Sequence, residues 1–315
     1  MSLLYKLITP QEFIPLLKQT GPNRVIPVDA TWFLPNVGRN GKEEFLTQER
    51  IPGSIFFDID GIKDIESPYP HMAPTKETFV KALNEFGILP SDTLVVYDRI
   101  GNFSAPRCAW TLVLFGHSDV RLLNSFNVYK EVGGPLEHNK VNTLSPYEPT
   151  DKYSVSKDLT KDQIVSFKHV TSLVQDGSFT KGKIQLFDAR ANGRFKGVDP
   201  EPRPDLVSGH IPGAQSLPFV DVLDSTTKQF YKDPVTMREK IIETISKYNG
   251  KTKDQVAKDL AENQIYTMCG TGVTGAIIKT ALEHAGYKNI KLYDGSWTEW
   301  VLRNGNDSPL IAKDL

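Results

Sequence analysis

Cys269 opens the run Cys269-Gly270-Thr271-Gly272-Val273-Thr274-Gly275-Ala276, between a β-rich stretch and a helix-like one. A glycine-rich loop of this kind turns successive backbone N–H groups inward. With a helix N-terminus behind it, the loop cradles an anion. A thiol at its mouth is expected to ionise readily and act as a nucleophile. Hydrolysis of a phosphate monoester would need an arginine in the loop to close on the dianion, and no Arg or Lys lies between Cys269 and Ala276. A thiol protease would need a histidine base, and spacing pairs none of His71, His117, His138, His169, His210 and His284 with Cys269. Sulfur transfer remains: the thiolate takes up a sulfane sulfur and the loop N–H groups hold the resulting persulfide. The other cysteine, Cys108, sits in the apolar run Arg107-Cys108-Ala109-Trp110-Thr111-Leu112 and reads as core.

The elements that must position Cys269 occur twice. Arg24 to Ala30 and Lys183 to Arg190 are apolar runs ending in Asp-Ala, and each is followed at similar distance by Ile-Pro-Gly, at Ile51-Pro52-Gly53 and Ile211-Pro212-Gly213. Thr93 to Asp98 and Gln264 to Cys269 are then β-rich runs leading through loops to helix-like stretches. Those stretches end at Phe115-Gly116 and Ala285-Gly286, where Gly suits a helix C-terminus. The strands Val120–Leu123 and Ile290–Tyr293 follow. Short apolar strands alternating with helices predict an α/β protein of two tandem domains, each a mainly parallel sheet flanked by helices. The expected division is a first domain over 1–132 without a catalytic Cys, a linker over 133–152 and a catalytic domain over 153–315. Thr9-Pro10-Gln11-Glu12 reads as a helix start, with Pro15 keeping the helix short. Thr160 is expected to cap a helix over Ile164 to Leu173. Asp98 stands where the second copy has Cys269, and only the second copy reads as a compact loop closing directly onto its helix.

The 315 residues carry 37 Lys+Arg against 38 Asp+Glu, a net charge of -1. Such a balance gives no global footprint for nucleic acid or anionic lipid. Two cysteines exclude a disulfide framework and the Cys-rich zinc sites, and no run approaches the roughly 20 apolar residues that span a bilayer. The first residues, Met1 to Leu7, resemble neither a secretory signal nor an Arg-rich transit peptide. A cytoplasmic protein is expected, with a mitochondrial pool left open. No metal constellation is recognised, and the Gly-x-Gly after Cys269 lacks the third Gly of a dinucleotide fingerprint, so no cofactor is expected.

Across nearly its whole length the chain resembles the two-domain sulfurtransferases of the rhodanese superfamily, in the 3-mercaptopyruvate branch. The resemblance is carried by Cys269 to Thr274, Tyr293-Asp294-Gly295-Ser296-Trp297, Gly209 to Ala214, Ser67 to Met72 and Ser104-Ala105-Pro106-Arg107. Thiosulfate-preferring members carry basic residues directly after the Cys, where this chain has Gly270 and Thr271. The 3-mercaptopyruvate branch commonly has Ser in place of Thr271. The Thr form resembles fungal members linked to thiolation of tRNA wobble uridine.

The resemblance implies that Cys269 takes sulfur from 3-mercaptopyruvate and releases pyruvate. The sulfur would pass to a thiol acceptor such as thioredoxin or a sulfur-relay protein, with no direct nucleic-acid contact. It implies Arg194 and Arg203 as the substrate clamp, with Arg190 structural. It implies Asp60, His71 and Thr271 as a proton relay, and Gly270, Thr271, Gly272, Val273 and Thr274 as the persulfide cradle. Asp58 and Asp60 share a strand face, so spacing does not choose between them; the motif favours Asp60. Trp297 and Trp300 are expected in the core. Two alternatives stand beside this reading: a thiosulfate:cyanide sulfurtransferase, and a non-enzymatic persulfide carrier.

Overall fold

A computed structural model describes residues 5–18 and 23–314. Met1 to Leu4, where no targeting segment is recognised, lie outside the described residues. The first half contains β1 (Lys6–Ile8), β2 (Val25–Asp29), β3 (Ile55–Phe56), β4 (Thr93–Tyr97) and β5 (Val120–Leu123). The second contains β6 (Ile164–Val165), β7 (Ile184–Asp188), β8 (Gln215–Ser216), β9 (Gln264–Met268) and β10 (Lys291–Tyr293). The sheet orders are β1-β5-β4-β2-β3 and β6-β10-β9-β7-β8, the same order repeated. Every strand pair is parallel. The duplicated α/β architecture expected from the repeats is therefore present. All of β4 is buried, as a strand covered on both faces should be.

The helix Ala105–Leu114 follows β4 and is buried at every residue. The helix Gly275–His284 follows β9 and is buried from Gly275 to Leu282. A single apolar cluster contains Cys108, Trp110 and Leu112 of the first and Ile277, Ile278 and Leu282 of the second, so one core runs through both halves. Tyr5 pins the pair, its hydroxyl meeting Thr280 Oγ1 at 2.5 Å and the Pro106 carbonyl at 3.3 Å. Gly116 and Gly286 end these helices with φ of 80° and 97°, in the left-handed region where glycine carries no Cβ penalty.

The halves also exchange loops. The segment after β3 reaches the second half, where Ala73 N–H donates to Asp294 Oδ2 at 2.7 Å. The segment after β8 reaches the first half, where Lys228 O accepts from Asn102 Nδ2 at 2.9 Å and Phe230 O from Asn124 Nδ2 at 2.9 Å. Each half thus covers the C-terminal sheet edge of the other, the place where parallel α/β sheets bind ligands.

Two expectations are corrected. The helix expected over Ile164 to Leu173 starts later and has another cap: a single turn spans Thr160–Gln163, Ile164 and Val165 pair with β10, and the helix is Phe167–Gln175, capped by Ser166 and not by Thr160. Pairing at the sheet edge satisfies the backbone of these β-branched residues, which outweighs the local helical pattern. Tyr153, expected to open the second domain, is buried against Phe79 and hydrogen-bonds His117 Nδ1 at 2.9 Å, both in the first half. The irregular stretch before it is fastened to that half as well. Leu144 O accepts from Phe56 N–H, and Tyr147 Oη donates to Gly53 O.

Candidate active site

Cys269 follows the last residue of β9 and is 2% exposed. Its backbone is held from behind. The Cys269 N–H donates to Ser296 Oγ at 3.1 Å, its carbonyl accepts from Trp297 N–H, and the Gly270 carbonyl accepts from Thr298 N–H and Oγ1–H. Among the described residues, no protein acceptor takes the N–H groups of Gly270 to Thr274. Gly272 has φ of +81°, and a Cβ there would stand 2.7 Å from Arg107 Nη1 and 2.7 Å from the Asp294 carbonyl oxygen. Only glycine fits that position.

His71 comes from the opposite half and is buried. Its Nδ1 lies 2.9 Å from Thr271 Oγ1 and its Nε2 lies 2.8 Å from Asp60 Oδ1. Trp32 Nε1–H donates to Asp60 Oδ2 at 2.8 Å, and the Trp32 ring stands edge-on to the imidazole at 4.7 Å. An ionised Asp60 only accepts, so Nε2 carries the ring proton and Nδ1 accepts from the Thr271 hydroxyl. Burial raises the Asp60 carboxyl, but His71 and Trp32 outweigh it and hold the group below its usual value. Burial lowers His71; Asp60 opposes that shift, and the charges of Arg107 and Arg203 add to it. Asp58 is separated from this chain. Its Oδ1 accepts the Asp60 N–H at 3.0 Å and closes a local turn.

Of the three arginines, Arg190 is 1% exposed and clamped by Asp188, by Glu201 Oε1 at 2.7 Å and by the Gly209 carbonyl at 2.7 Å. Arg194 shares the second oxygen of Glu201, and its Nη2 would stand 3.4 Å from a Cβ at Gly270, over the mouth of the loop. The Arg203 guanidinium makes no hydrogen bond or ion pair with protein among the described residues. Burial pulls it down from its ordinary value, while the negative charges of Asp60 and Cys269 oppose that shift. An unpaired, partly desolvated cation is the kind of group that can take an anionic ligand. Trp297 and Trp300 are wholly buried and spend their indole N–H groups on the Val207 and Leu310 carbonyls, as core residues. Cys108 is likewise buried, and burial pushes its thiol well up.

Sequence reasoning assigned no role to Arg107. This buried cation donates to Asp294 Oδ1 at 2.5 Å, to the His71 carbonyl and, at 3.4 Å, to the Gly272 carbonyl. His71 has φ of 61°, a conformation costly for a residue with a Cβ. Arg107 therefore fixes both partners of the His71–Thr271 bond. The available signal was a cation inside an otherwise apolar helix. Arg107→Met is expected to lower kcat about ten- to a hundredfold and to cost about 3–5 kcal/mol of stability by stranding Asp294. Urea melts and steady-state rates check both, and Arg107→Lys should recover stability more fully than rate.

The first-half loop corrects another expectation. It too closes directly onto a helix and turns its N–H groups inward, around Asp98. The sequence hides this, because Asp98 replaces the thiol and the loop carries one glycine, Gly101.

A duplicated parallel-sheet domain, with a cysteine at the mouth of one inward-turned loop, defines the rhodanese type of protein. A family model described as a rhodanese-like domain matches residues 173–303, and the chain belongs to the two-domain rhodanese sulfurtransferases. It is 49% identical over 302 residues to the thiosulfate sulfurtransferase TUM1 of Saccharomyces cerevisiae, covering 96% of each chain. It is 37% identical to a probable 3-mercaptopyruvate sulfurtransferase of Schizosaccharomyces pombe, covering 92% of this chain and 90% of that one. The crystal structure of Tum1 from S. cerevisiae superposes with a TM-score of 0.91 at 47% identity, over 99% of both chains. The protein is a sulfurtransferase.

Proposed function

We propose that the donor is 3-mercaptopyruvate and that Cys269 carries its sulfur as a persulfide. The Cys269 thiolate attacks the mercapto sulfur and forms an S–S bond. The carbon–sulfur bond breaks, and its electron pair leaves on carbon as the enolate of pyruvate. The mercapto proton passes through Thr271 and His71 to that carbon, giving pyruvate and leaving Cys269–S–S⁻. Asp60 holds the imidazole in the tautomer whose Nδ1 faces Thr271. Arg203 and Arg194 bind the carboxylate and the ketone oxygen. The N–H groups of Gly270 to Thr274 hold the persulfide until a thiol takes the outer sulfur. That thiol belongs to thioredoxin or to a sulfur-relay protein, the second route leading to tRNA thiolation. The cytoplasm is the working compartment, and a mitochondrial pool is tested by fractionation.

The hydrogen-bonded chain Asp60–His71–Thr271 carries this reading. Thiosulfate expels sulfite by breaking an S–S bond and needs no proton delivered to carbon. 3-Mercaptopyruvate does. The expected result is a kcat/KM for 3-mercaptopyruvate well above that for thiosulfate. His71→Ala should lower the first about a hundredfold or more and spare the second. Equal losses with both donors would contradict the relay. A preference for thiosulfate would give this chain the donor for which its 49% identical relative is named.

Burial keeps His71 neutral below its ordinary value of 6.5, so the acid limb of kcat with 3-mercaptopyruvate is expected below pH 6.5. Asp60 raises His71. Asp60→Asn should therefore lower the plateau and move the limb to still lower pH. A rate profile across pH 4.5–8 checks both, and a limb moving upward would contradict the assignment. The same sign applies to folding. The unfolded chain takes up the proton first, so this contribution is present above pH 6.5 and lost as pH falls towards the depressed value.

A further inference from the structure

Arg194 sits on the five-residue helix Asn192–Lys196, which is too short to hold its own position in water. The last three carbonyls of that helix are of the kind a helix end leaves unpaired, and each is met from another segment. The Arg194 carbonyl accepts from Gly209 N–H at 3.0 Å, the Phe195 carbonyl from His210 Nδ1–H at 2.9 Å and the Lys196 carbonyl from Asp314 N–H at 2.9 Å. A carbonyl only accepts, so Nδ1 carries the His210 proton. The His210 ring also stacks on the Phe195 ring at 4.1 Å. His210 is fixed in turn. Its N–H donates to the Ala312 carbonyl and its carbonyl accepts from the Ala312 N–H, both at 2.9 Å, as an isolated antiparallel bridge. Gly209 has φ of +137°, and a Cβ there would stand 2.6 Å from the Ala312 carbonyl oxygen, so glycine lets the two segments close.

We propose that Ala312 to Asp314 form a strap that positions Arg194 for the donor. The chain reaches the strap from the helix Ser296–Asn304, where the N–H groups of Trp297 and Thr298 hold the Cys269 and Gly270 carbonyls. Trp300 of the same helix donates to the Leu310 carbonyl at 2.9 Å. One run of chain, from Ser296 to Asp314, thus holds the nucleophile's loop at its start and the helix of Arg194 at its end. Arg194 Nη2 stands 3.4 Å from where a Cβ would lie at Gly270, so a shift of about 1 Å in its helix spoils its reach to a carboxylate bound beside Cys269. The strap acts through Arg194 and not on the reacting atoms; it is a positioning element. The inference rests on the proposed donor clamp and adds to it a determinant of donor binding far along the chain from either arginine.

Initial rates with 3-mercaptopyruvate at saturating acceptor test this, in a double-mutant cycle with Arg194. One variant ends the chain after Ile311 and so lacks the strap. Asp314→Pro removes only the N–H that the Lys196 carbonyl accepts. Asp314→Ala keeps that N–H and removes the carboxylate, which stands 3.9 Å from His210 Nε2. Loss of the strap is expected to lower kcat/KM about tenfold through KM with kcat within about twofold, the size of effect that one or two backbone hydrogen bonds carry. Asp314→Pro should fall part of the way and Asp314→Ala should match wild type. In an Arg194→Met background, loss of the strap should change kcat/KM no further, because a residue already removed cannot be mispositioned. A full additional tenfold loss there overturns the inference, since a general weakening of the fold adds to any background. So does an Asp314→Ala loss as large as that of Asp314→Pro. If the shortened chain does not fold, Asp314→Pro in both backgrounds decides the matter by the same comparison. Arg194→Met impaired while both strap variants match wild type sinks this inference alone. Arg194→Met with wild-type kcat/KM sinks the donor clamp, and the strap's role with it.

Discussion

Cys269→Ser is expected to reduce turnover with every sulfur donor to background, a loss of at least about a thousandfold. A serine oxygen at this position forms no persulfide. Cys269 is buried, and its own N–H and C=O bonds run to Ser296 and Trp297 through the backbone. The serine variant should therefore keep the wild-type fold and melt within a few degrees of wild type. Pyruvate release under steady state, beside a thermal melt, checks both halves of the statement. Residual turnover above a few per cent would move the nucleophile elsewhere. Cys108 is a poor substitute, because it is wholly buried in the shared core and burial pushes its thiol well up.

The second large effect falls on Arg203. Arg203→Met is expected to lower kcat/KM for 3-mercaptopyruvate by about two to three orders of magnitude, from the loss of a bidentate, charge-assisted contact worth about 3–4 kcal/mol. Folding should change little, since the guanidinium has no protein partner among the described residues to strand. Arg194 differs. It is tied to Glu201, which also holds Arg190, so Arg194→Met should lower kcat/KM and loosen that buried cluster as well. Arg203→Lys should recover only part of the loss, because an ammonium cannot reproduce the planar fork. Initial rates over a range of donor concentrations separate binding from turnover. An Arg203→Met enzyme with unchanged kcat/KM would remove this residue from the donor site.

The duplicated sheets could be read from the residues because their central strands are continuous apolar runs with polar ends, and Asp-Ala and Ile-Pro-Gly mark the same turns in both halves. The two-residue strand Ile164–Val165 could not. It is shorter than any period that tells strand from helix, and its partner β10 lies far along the chain. Tyr153 reads as the start of the second half for a related reason, since an irregular segment carries no local mark of the half against which it packs. Among the candidate site residues, Cys269 stood out by its glycines alone. His71 and Thr271 are 200 positions apart and meet only because the halves exchange loops. No spacing argument joins them; the family resemblance did. Asp58 and Asp60 are told apart only by the structure, which turns one into a local bend and the other towards His71. The inward turn of the Asp98 loop is not legible in the sequence, because composition shows glycines and not the direction of N–H groups.

The decisive measurement is the intact mass of the protein after brief exposure to 3-mercaptopyruvate, with pyruvate assayed in the same sample. Wild type is expected to gain one sulfur, about 32 Da, with one pyruvate released per chain, as the first half of a ping-pong reaction requires. Cys269→Ser should gain nothing. Pyruvate without the mass gain, or a gain that persists in Cys269→Ser, would contradict covalent transfer through Cys269. A gain from thiosulfate but none from 3-mercaptopyruvate would leave the nucleophile in place and overturn the donor.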